Sequence, residues 1–276
     1  MKIRNADLDL SKTTYVMGIL NVTPDSFSDG GLHNKPDEAV AHAQKMIKEG
    51  AAIIDIGGES TRPGFEGVSE EEELERVIPV IEALRKVSDI PISIDTTKPN
   101  VAKAALEAGA DIINTVEGVD VSEEMLKVVK DSGAPFVMTY EKSYVNQFGE
   151  ALISMAQKAV DFGIEPEKII IDPGIGFGKT QDENLRILNE LPIITQTGYP
   201  VLLGCSRKSV IKYVNERYGK TVENPDDKGY DIIKERLPGT VVTTVLAALA
   251  GVGMVRVHDV DENIKAIRML TAICEV

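Results

Sequence analysis

Cysteine is scarce in this sequence of 276 residues. The two cysteines, Cys205 and Cys274, are far apart and have no CxxC spacing, which excludes a disulfide framework and a cysteine-based zinc site. Few cysteines favour a reducing compartment. The first ten residues, MKIRNADLDL, lack the apolar stretch of a signal peptide. We therefore expect a cytoplasmic protein.

Basic residues and long apolar runs are also limited. Acidic residues outnumber basic ones 44 to 30, and a net charge of −14 argues against nucleic-acid and anionic-membrane partners. The longest nearly apolar run, 241–255, is too short and too rich in threonine and glycine to span a bilayer. Hydrophobic residues still make up 43% of the chain, which is enough for a large core. An anionic substrate stays compatible, because local cations can oppose the net charge.

Short apolar runs recur along the chain, and no low-complexity linker separates them. They lack clean alternation of polar and apolar residues, which is typical of strands covered on both faces. The predicted strands are Tyr15–Leu20, Ala52–Ile56, Ile90–Ile94, Asp111–Ile113, Pro135–Met138, Lys168–Ile171, Val201–Leu203 and Met254–Val257.

Amphipathic stretches between these runs predict helices. Capping boxes begin two of them, Ser69 with Glu72 and Thr180 with Glu183. Left-handed C-caps are expected at Gly50, Gly109, Gly133 and Gly163. The predicted helices are Pro36–Glu49, Ser69–Val87, Pro99–Ala108, Ser122–Lys130, Gly149–Phe162, Thr180–Asn189, Pro238–Leu249 and Asp261–Ile273.

Eight strand–helix units predict an α/β fold, a (β/α)8 TIM barrel that residues 1–276 form as a single domain. The alternative is a doubly wound open sheet, which usually has fewer strands.

Polar residues follow nearly every predicted strand, and in such a barrel the loops at these positions carry the chemistry. They are Asn21, Gly57–Glu59, Asp95, Asn114, Thr139, Asp172, Ser206–Lys208, Arg256 and His258. Ordinary turn chemistry is one interpretation. Two carboxylates and two carboxamides at strand ends favour the other, a site for a polar heterocycle.

The residue types indicate what such a site could bind. A carboxylate accepts two hydrogen bonds from an amino–imine ring edge, and a carboxamide both donates and accepts, so Asp95, Asn114 and Asp172 suit an aminopyrimidinone-like ring. A predicted cationic set follows strands seven and eight, where barrels commonly bind phosphate. Its members are Arg207, Lys208, Arg256 and His258. The alternative for His258 is a histidine hydrogen-bonded to backbone.

Several motifs do not lead to a site. DPGIGFGKT (172–180) is not a phosphate-binding P-loop, because Pro173 stands where that motif requires glycine. Glu70–Glu73 is interpreted as a solvated helix start, favoured by the helix dipole. His33 and His42 lack the spacing of zinc ligands.

Six motifs together resemble dihydropteroate synthase, and they occur in the order of that family. They are NVTPDSFSDGG (21–31), GGESTRPG (57–64), SIDTTKP (93–99), IDPGIGFGKT (171–180), GCSRKS (204–209) and RVHDV (256–260). The resemblance spans about residues 16–260. It implies a (β/α)8 barrel, usually a homodimer, and a transferase of folate biosynthesis. That enzyme condenses 6-hydroxymethyl-7,8-dihydropterin diphosphate with 4-aminobenzoate, releases diphosphate and is a sulfonamide target.

The resemblance also implies roles for individual residues. The pterin-binding set is Asp95, Asn114, Met138, Asp172, Phe177 and Lys208. The diphosphate-binding set is Asn21, Thr61, Arg62, Arg256 and His258, and Asn21 also meets the cofactor Mg²⁺. The aminobenzoate-binding set is Thr61, Pro63, Phe177, Ser206 and Lys208. The expected catalytic residues are Asp95, Asp172, Lys208, Arg256 and His258.

Three positions depart from the family pattern. Thr115 replaces an aspartate, Glu117 a small residue and Thr139 a histidine. These departures leave open a pterin-binding paralogue with altered or no activity. A methyltransferase that uses methyltetrahydrofolate shares the pterin-binding barrel, but it would not need Thr61, Arg62 or the pair Arg256 and His258.

Overall fold

Parallel strands form the centre of the computed structural model, which describes residues 1–23, 35–59, 67–219 and 232–275. In chain order the strands are β1 (Lys2–Ile3), β2 (Ala6–Asp7), β3 (Tyr15–Asn21), β4 (Ile53–Gly57), β5 (Ile92–Asp95), β6 (Ile112–Thr115), β7 (Phe136–Thr139), β8 (Ile169–Asp172), β9 (Leu202–Leu203) and β10 (Met254–Val257). The eight-stranded sheet has the order β8-β7-β6-β5-β4-β3-β10-β9. A parallel bridge between Ile171 and Val201 joins its two outer strands, so the sheet nearly closes.

Helices lie between successive strands, and this confirms the predicted (β/α)8 barrel. They are α1 (Lys35–Glu49), α2 (Glu70–Val87), α3 (Pro99–Ala108), α4 (Glu123–Ser132), α5 (Phe148–Phe162), α6 (Gln181–Asn189), α7 (Leu191–Ile194), α8 (Ser209–Tyr218), α9 (Ile232–Leu249) and α10 (Val260–Cys274). The capping box of Thr180 and Glu183 forms in full, and the four predicted C-cap glycines all have positive φ. At α2 the Ser69 hydroxyl accepts from the Glu72 N–H, but the Glu72 carboxylate pairs with Arg76 instead.

The predicted helix Pro238–Leu249 corresponds to α9, and its predicted start is wrong. Proline favours the first turn of a helix, but Pro238 lies inside α9, which begins at Ile232. An interior proline removes one backbone hydrogen bond. Next to it, a Cβ on Gly239 would lie 2.4 Å from Cγ2 of Ile211, so α8 and α9 approach closely there.

The strands lie between two apolar layers, one outside the barrel and one inside it. Outward-facing strand residues pack against the helices, and inward-facing ones such as Met17, Ile53 and Ile170 fill the amino-terminal end of the barrel. The short β1–β2 hairpin covers this end and adds Leu8 and Leu10 to the inner layer. The carboxyl-terminal end is left for polar side chains. Within the described residues, no helix is long and apolar enough to cross a membrane.

Candidate active site

A row of predicted site residues crosses the carboxyl-terminal end of the barrel. Asn21 pairs in register with Gly57, Gly57 with Asp95, and Asp95 with Asn114. A Cβ on Gly57 would lie 3.5 Å from Cβ of Asp95, an ordinary van der Waals distance that shows how closely these two positions face each other. Since residues two apart on a strand face the same side, Asp55 lies on the inner side of β4, below Gly57.

Arg256 on β10 joins two carboxylates across the barrel. Its Nε donates to Oδ2 of Asp55 at 2.5 Å, and its Nη2 donates to Oδ2 of Asp95 at 2.6 Å. The Asn114 side chain donates to Asp55 at 3.3 Å. Asp55 is fully buried, and it was missed by the sequence analysis. The signal was a lone aspartate inside the apolar run IIDIG, since carboxylates are rarely buried without a partner.

The charges of this network are strongly perturbed. Burial raises the pKa of Asp95 to about 7; Arg256 opposes the rise and the Asp55 charge adds to it. For Arg256, burial lowers the pKa, but the carboxylates of Asp55 and Asp95 outweigh it and leave the pKa above its ordinary value. The guanidinium is therefore charged, and Asp95 changes its charge near neutral pH.

Asp172 and Lys208 occupy the other side of the same end. Asp172 Oδ1 accepts a hydrogen bond of 2.7 Å from the Gly174 N–H, yet burial raises the pKa of Asp172. Burial and the nearby Arg256 lower the pKa of Lys208. The Lys208 ammonium lies 4.1 Å from the centre of the Phe177 ring, a cation–π distance. The structure thus brings Asp172, Phe177 and Lys208 together as predicted.

Ser206 and His258 connect the loops after β9 and β10. Ser206 Oγ lies 3.0 Å from Nδ1 of His258 and accepts a 3.2 Å hydrogen bond from the His258 backbone N–H. The contact holds the imidazole beside the strand end that carries Arg256.

Arg207, which was predicted to belong to the cationic set, pairs with a carboxylate of the next loop. Its Nε donates to Asp259 Oδ2 at 2.9 Å, and Nη2 pairs with the other carboxylate oxygen. The backbone of Arg207 is left-handed, with φ of 57°. This conformation turns its side chain to Asp259, while its neighbours Ser206 and Lys208 contact site residues.

The interpretation of Glu70–Glu73 as a solvated segment is wrong for Glu73. This residue is 1% exposed, and Lys98 Nζ donates to its carboxylate at 2.6 Å. The same ammonium contacts Glu59 at 2.5 Å. Because α2 buries one face against the barrel, the fourth residue of the acidic run points inward and needs a cation.

The remaining predicted residues have different surroundings. Met138 on β7 is buried in the apolar layer that packs against the helices. It pairs in register with Thr115 on the neighbouring strand β6. Thr139 pairs in register with Asp172 instead. Thr61, Arg62 and Pro63 lie outside the described residues, as does most of NVTPDSFSDGG. Their predicted roles, and that of Met138 in pterin binding, stay predictions.

Lys179 is a further residue that the sequence analysis did not assign. Its ammonium donates to the carbonyls of Tyr140 at 2.6 Å and Phe177 at 2.9 Å. Burial lowers its pKa to about 8. It ties the loop after β8, which carries Phe177, to the loop after β7.

Comparisons with known proteins agree on one family. A family model described as "Pterin binding enzyme" matches residues 17–258. The dihydropteroate synthase of Clostridium beijerinckii is 46% identical, with 98% of this chain and 97% of the relative covered. The Clostridium difficile enzyme, solved in the presence of pteroic acid, superposes with a TM-score of 0.86 at 44% identity, covering 97% of this chain and 99% of that one.

The Xanthomonas albilineans dihydropteroate synthase with 4-aminobenzoic acid gives a TM-score of 0.86 at 39% identity, covering 97% of this chain and 95% of that one. The family model and the full-length relatives leave no large part of the chain unmatched. The chain therefore belongs to the dihydropteroate synthase family of pterin-binding enzymes.

Proposed function

We propose that this transferase joins 4-aminobenzoate to the methylene carbon of 6-hydroxymethyl-7,8-dihydropterin diphosphate, releasing diphosphate and forming 7,8-dihydropteroate for folate synthesis. The observation that carries the proposal is 46% identity over nearly the whole chain to a relative named for this activity. The polar set at the barrel end agrees with it, because Asp95, Asn114 and Asp172 offer the acceptors and donors that a pterin edge requires.

The pterin ring is assigned to the inner polar set. Asp95 and Asp172 accept hydrogen bonds from the ring edge, and Asn114 both donates and accepts. Lys208 contributes a donor beside Asp172. Asp55 lies beneath these residues, where it balances the charge of Arg256 and orients Asn114.

The diphosphate is assigned to the residues that follow β3, β4 and β10. Arg256 and His258 supply positive charge and N–H donors, and Thr61 and Arg62 are proposed to join them. Arg256 already pairs with Asp55 and Asp95. These two ion pairs orient the guanidinium group before any anion binds, and they lower its affinity for a further anion.

Asn21 is the proposed protein ligand of Mg²⁺. The described residues contain no group of three or more histidine, cysteine, aspartate or glutamate side chains that could hold a metal. This fits Mg²⁺, which commonly binds through one or two protein oxygens together with substrate phosphates and waters. Asn21 offers such an oxygen at the end of β3. When bound, the ion supplies neutralising charge for the diphosphate.

The proposed reaction transfers one methylene carbon. Its C–O bond breaks, and the electron pair leaves with diphosphate. The arylamine lone pair forms the new C–N bond, and the amine proton passes to solvent. Where C–O cleavage runs ahead of attack, the pterin methylene becomes cationic, and the carboxylates of Asp95 and Asp172 stabilise it. An arylamine is neutral at pH 7, so the residues need not act as a general base.

4-Aminobenzoate is assigned to the outer side of the site. Ser206, Phe177 and the stem of Lys208 form its wall, and Thr61 and Pro63 are proposed to complete it. Phe177 and Lys208 already face each other at 4.1 Å, which leaves an aromatic and a cationic surface on one side. A sulfonamide of similar shape is proposed to compete for this position.

One assay tests the proposal and separates it from a non-catalytic pterin-binding paralogue. Purified protein is mixed with the pterin diphosphate and Mg²⁺, with and without 4-aminobenzoate, and released diphosphate is measured. We expect release that depends on aminobenzoate and Mg²⁺ and that falls when a sulfonamide is added. Pterin binding by calorimetry without any aminobenzoate-dependent release would contradict the proposed function.

We also propose that the protein is a cytoplasmic homodimer. Apolar side chains lie exposed on the outside of the neighbouring helices α9 and α10, with exposed fractions of 37% to 66%. They are Val242, Leu246, Leu249, Met269 and Ile273. Their spacing places those of each helix on one face, where a second copy would cover them. Sedimentation should give a dimer for the wild type and a monomer for Val242→Glu; a monomeric wild type contradicts the proposal.

A further inference from the structure

Arg207 has an unusual backbone conformation between two proposed site residues. It follows Ser206 and precedes Lys208, and its φ is 57°. This is the left-handed region, which residues other than glycine adopt at an energetic cost that their surroundings must offset.

Contacts from three residues hold Arg207 in this conformation. Its backbone N–H donates to Thr240 Oγ1 at 3.0 Å, and its carbonyl accepts from Arg236 Nη1 at 2.7 Å, both from α9. Its guanidinium binds both carboxylate oxygens of Asp259 in the loop after β10. The turn is therefore fixed from two sides, by a helix and by a neighbouring loop.

Asp259 is held by its own contacts. Its carbonyl accepts a 2.6 Å hydrogen bond from Asn263 Nδ2, and Asn263 Oδ1 accepts one of 2.6 Å from Thr244 on α9. The side chains of Arg207 and Asp259 are only 21% and 10% exposed. Exposed ion pairs contribute little to stability, but a shielded, two-pronged arginine–carboxylate pair fixes geometry strongly.

The Arg207–Asp259 ion pair joins the loops after β9 and β10, and each of its two residues is adjacent in sequence to a proposed site residue. On one side of it, Ser206 contacts His258 at 3.0 Å and Lys208 lies over Phe177. On the other, Asp259 directly follows His258. A shift of Arg207 away from Asp259 would therefore move the aminobenzoate wall relative to the diphosphate-binding histidine.

We propose that the Arg207–Asp259 ion pair is a positioning device, which holds Ser206 and Lys208 in place against His258 before the substrates bind. The inference rests on the proposed function, because it assigns the two loops to the two halves of the reaction. Arg207 and Asp259 act through their neighbours and contact neither substrate.

The test compares Asp259→Asn with Asp261→Asn, a matched control on α10 whose exposed carboxylate pairs with Lys265. Asp259→Asn removes the charge at nearly constant shape. We expect its aminobenzoate KM to rise about tenfold and its kcat to fall about tenfold or more, since a small misplacement can reduce the rate about a hundredfold. The control should stay within about twofold of the wild type.

Arg207→Asn tests the pair from the other side. Asparagine tolerates the left-handed backbone but lacks the arginine fork. Combining Arg207→Asn with Asp259→Asn should cost no more than either change alone, because both remove one contact. Arg207→Lys keeps the charge and should recover part of the lost activity.

Several results would overturn the proposal. One is an Asp259→Asn enzyme that melts at a lower temperature but keeps its aminobenzoate KM and kcat within about twofold of the control. Another is losses that add in the double variant. If Asp259→Asn does not fold, Arg207→Asn decides: an unchanged aminobenzoate KM in this variant refutes the positioning role. A wild-type protein without aminobenzoate-dependent diphosphate release would instead contradict the proposed function.

Discussion

At the scale of the residue, the charge of Asp95 changes near neutral pH. Asp95 shares Arg256 with Asp55, and burial raises its pKa to about 7. Only the carboxylate accepts two hydrogen bonds from a pterin edge, whereas the protonated acid also presents a donor there. Pterin affinity should therefore depend on the protonation of this residue.

We predict that 6-hydroxymethyl-7,8-dihydropterin, which carries no phosphate, binds more tightly as the pH rises through about 7 and reaches a plateau above it. Asp55→Asn should move this midpoint down by about one pH unit, because the Asp55 charge raises the pKa of Asp95 and also competes for Arg256. Calorimetric titration at a series of pH values measures the midpoint.

Asp131→Asn is the control for this experiment. Asp131 belongs to an exposed ion pair with Lys127 on α4, so its removal should leave the midpoint unchanged. A midpoint that stays fixed or rises in Asp55→Asn would show that Asp95 does not control pterin binding.

Residue types and their places at strand ends were enough to predict the inner polar set. Asp95, Asn114 and Asp172 could be identified because strands of a parallel barrel all end on one side. Asp55 could not, since it lies inside an apolar run and its partner Arg256 is distant in sequence. The pairing of Arg207 with Asp259 could not be predicted either, because a left-handed backbone changes the direction in which a side chain points relative to its neighbours in sequence.

At the scale of elements, the loops after β7 and β8 are built as a unit. Gly174 and Gly178 let the second loop lie directly on the first, since a Cβ at either would fall 2.2 Å from a carbonyl oxygen of Tyr140 or Glu141. Lys179 then bonds the Tyr140 and Phe177 carbonyls. The position of Phe177 against Lys208 thus depends on the neighbouring loop.

Lys179→Met should lower the free energy of unfolding by about 2 kcal/mol, because two partly buried carbonyls lose their donor. It should also raise the aminobenzoate KM, since Phe177 is no longer held. Urea unfolding and steady-state kinetics measure the two effects. Lys158→Met is the control: it loses one exposed bond to the Val119 carbonyl and should cost less than about 0.5 kcal/mol.

The pH dependence of stability gives a second check on Lys179. Its pKa is lowered to about 8 from an ordinary 10.5. Between these values the unfolded chain binds a proton that the folded protein does not, so this residue makes stability rise with pH. Wild type should therefore gain stability relative to Lys179→Met across that range. A constant difference between the two proteins would contradict the buried, perturbed ammonium.

Secondary-structure elements could be predicted from the sequence where they were long enough to show an apolar pattern or carried capping residues. Strands and capped helices with clear apolar patterns were placed within a few residues. The β1–β2 hairpin was missed because two-residue strands have no periodicity to detect. Helix α8 was also missed, since β-branched residues weaken the helical pattern of SVIKYVNERY.

At the scale of the whole molecule, the barrel separates stability from chemistry. The inner apolar layer and the β1–β2 hairpin close the amino-terminal end, whereas charged residues fill the carboxyl-terminal end. In barrels of this class the catalytic loops lie at the second end only. The buried charges there weaken folding unless they are paired, so apolar packing elsewhere must offset them.

This separation predicts that the two ends can be perturbed independently. Leu8→Ala and Leu10→Ala should each lower the free energy of unfolding by about 2 to 5 kcal/mol, because both side chains are at least 94% buried. The KM values of the folded variants should stay within about twofold of wild type, since neither residue contacts the strand ends that carry the site. Urea unfolding and steady-state kinetics on the same samples measure both quantities.

Ile193→Ala provides the control, because this side chain is 63% exposed and its truncation should change neither stability nor KM appreciably. If KM values in Leu8→Ala and Leu10→Ala instead rose in step with the loss of stability, the hairpin would be coupled to the site through the barrel. Unchanged KM values would mean that the β1–β2 hairpin stabilises the fold through its packing in the inner apolar layer. They would also mean that the network of Asp55, Asp95 and Arg256 keeps its geometry when this packing is weakened.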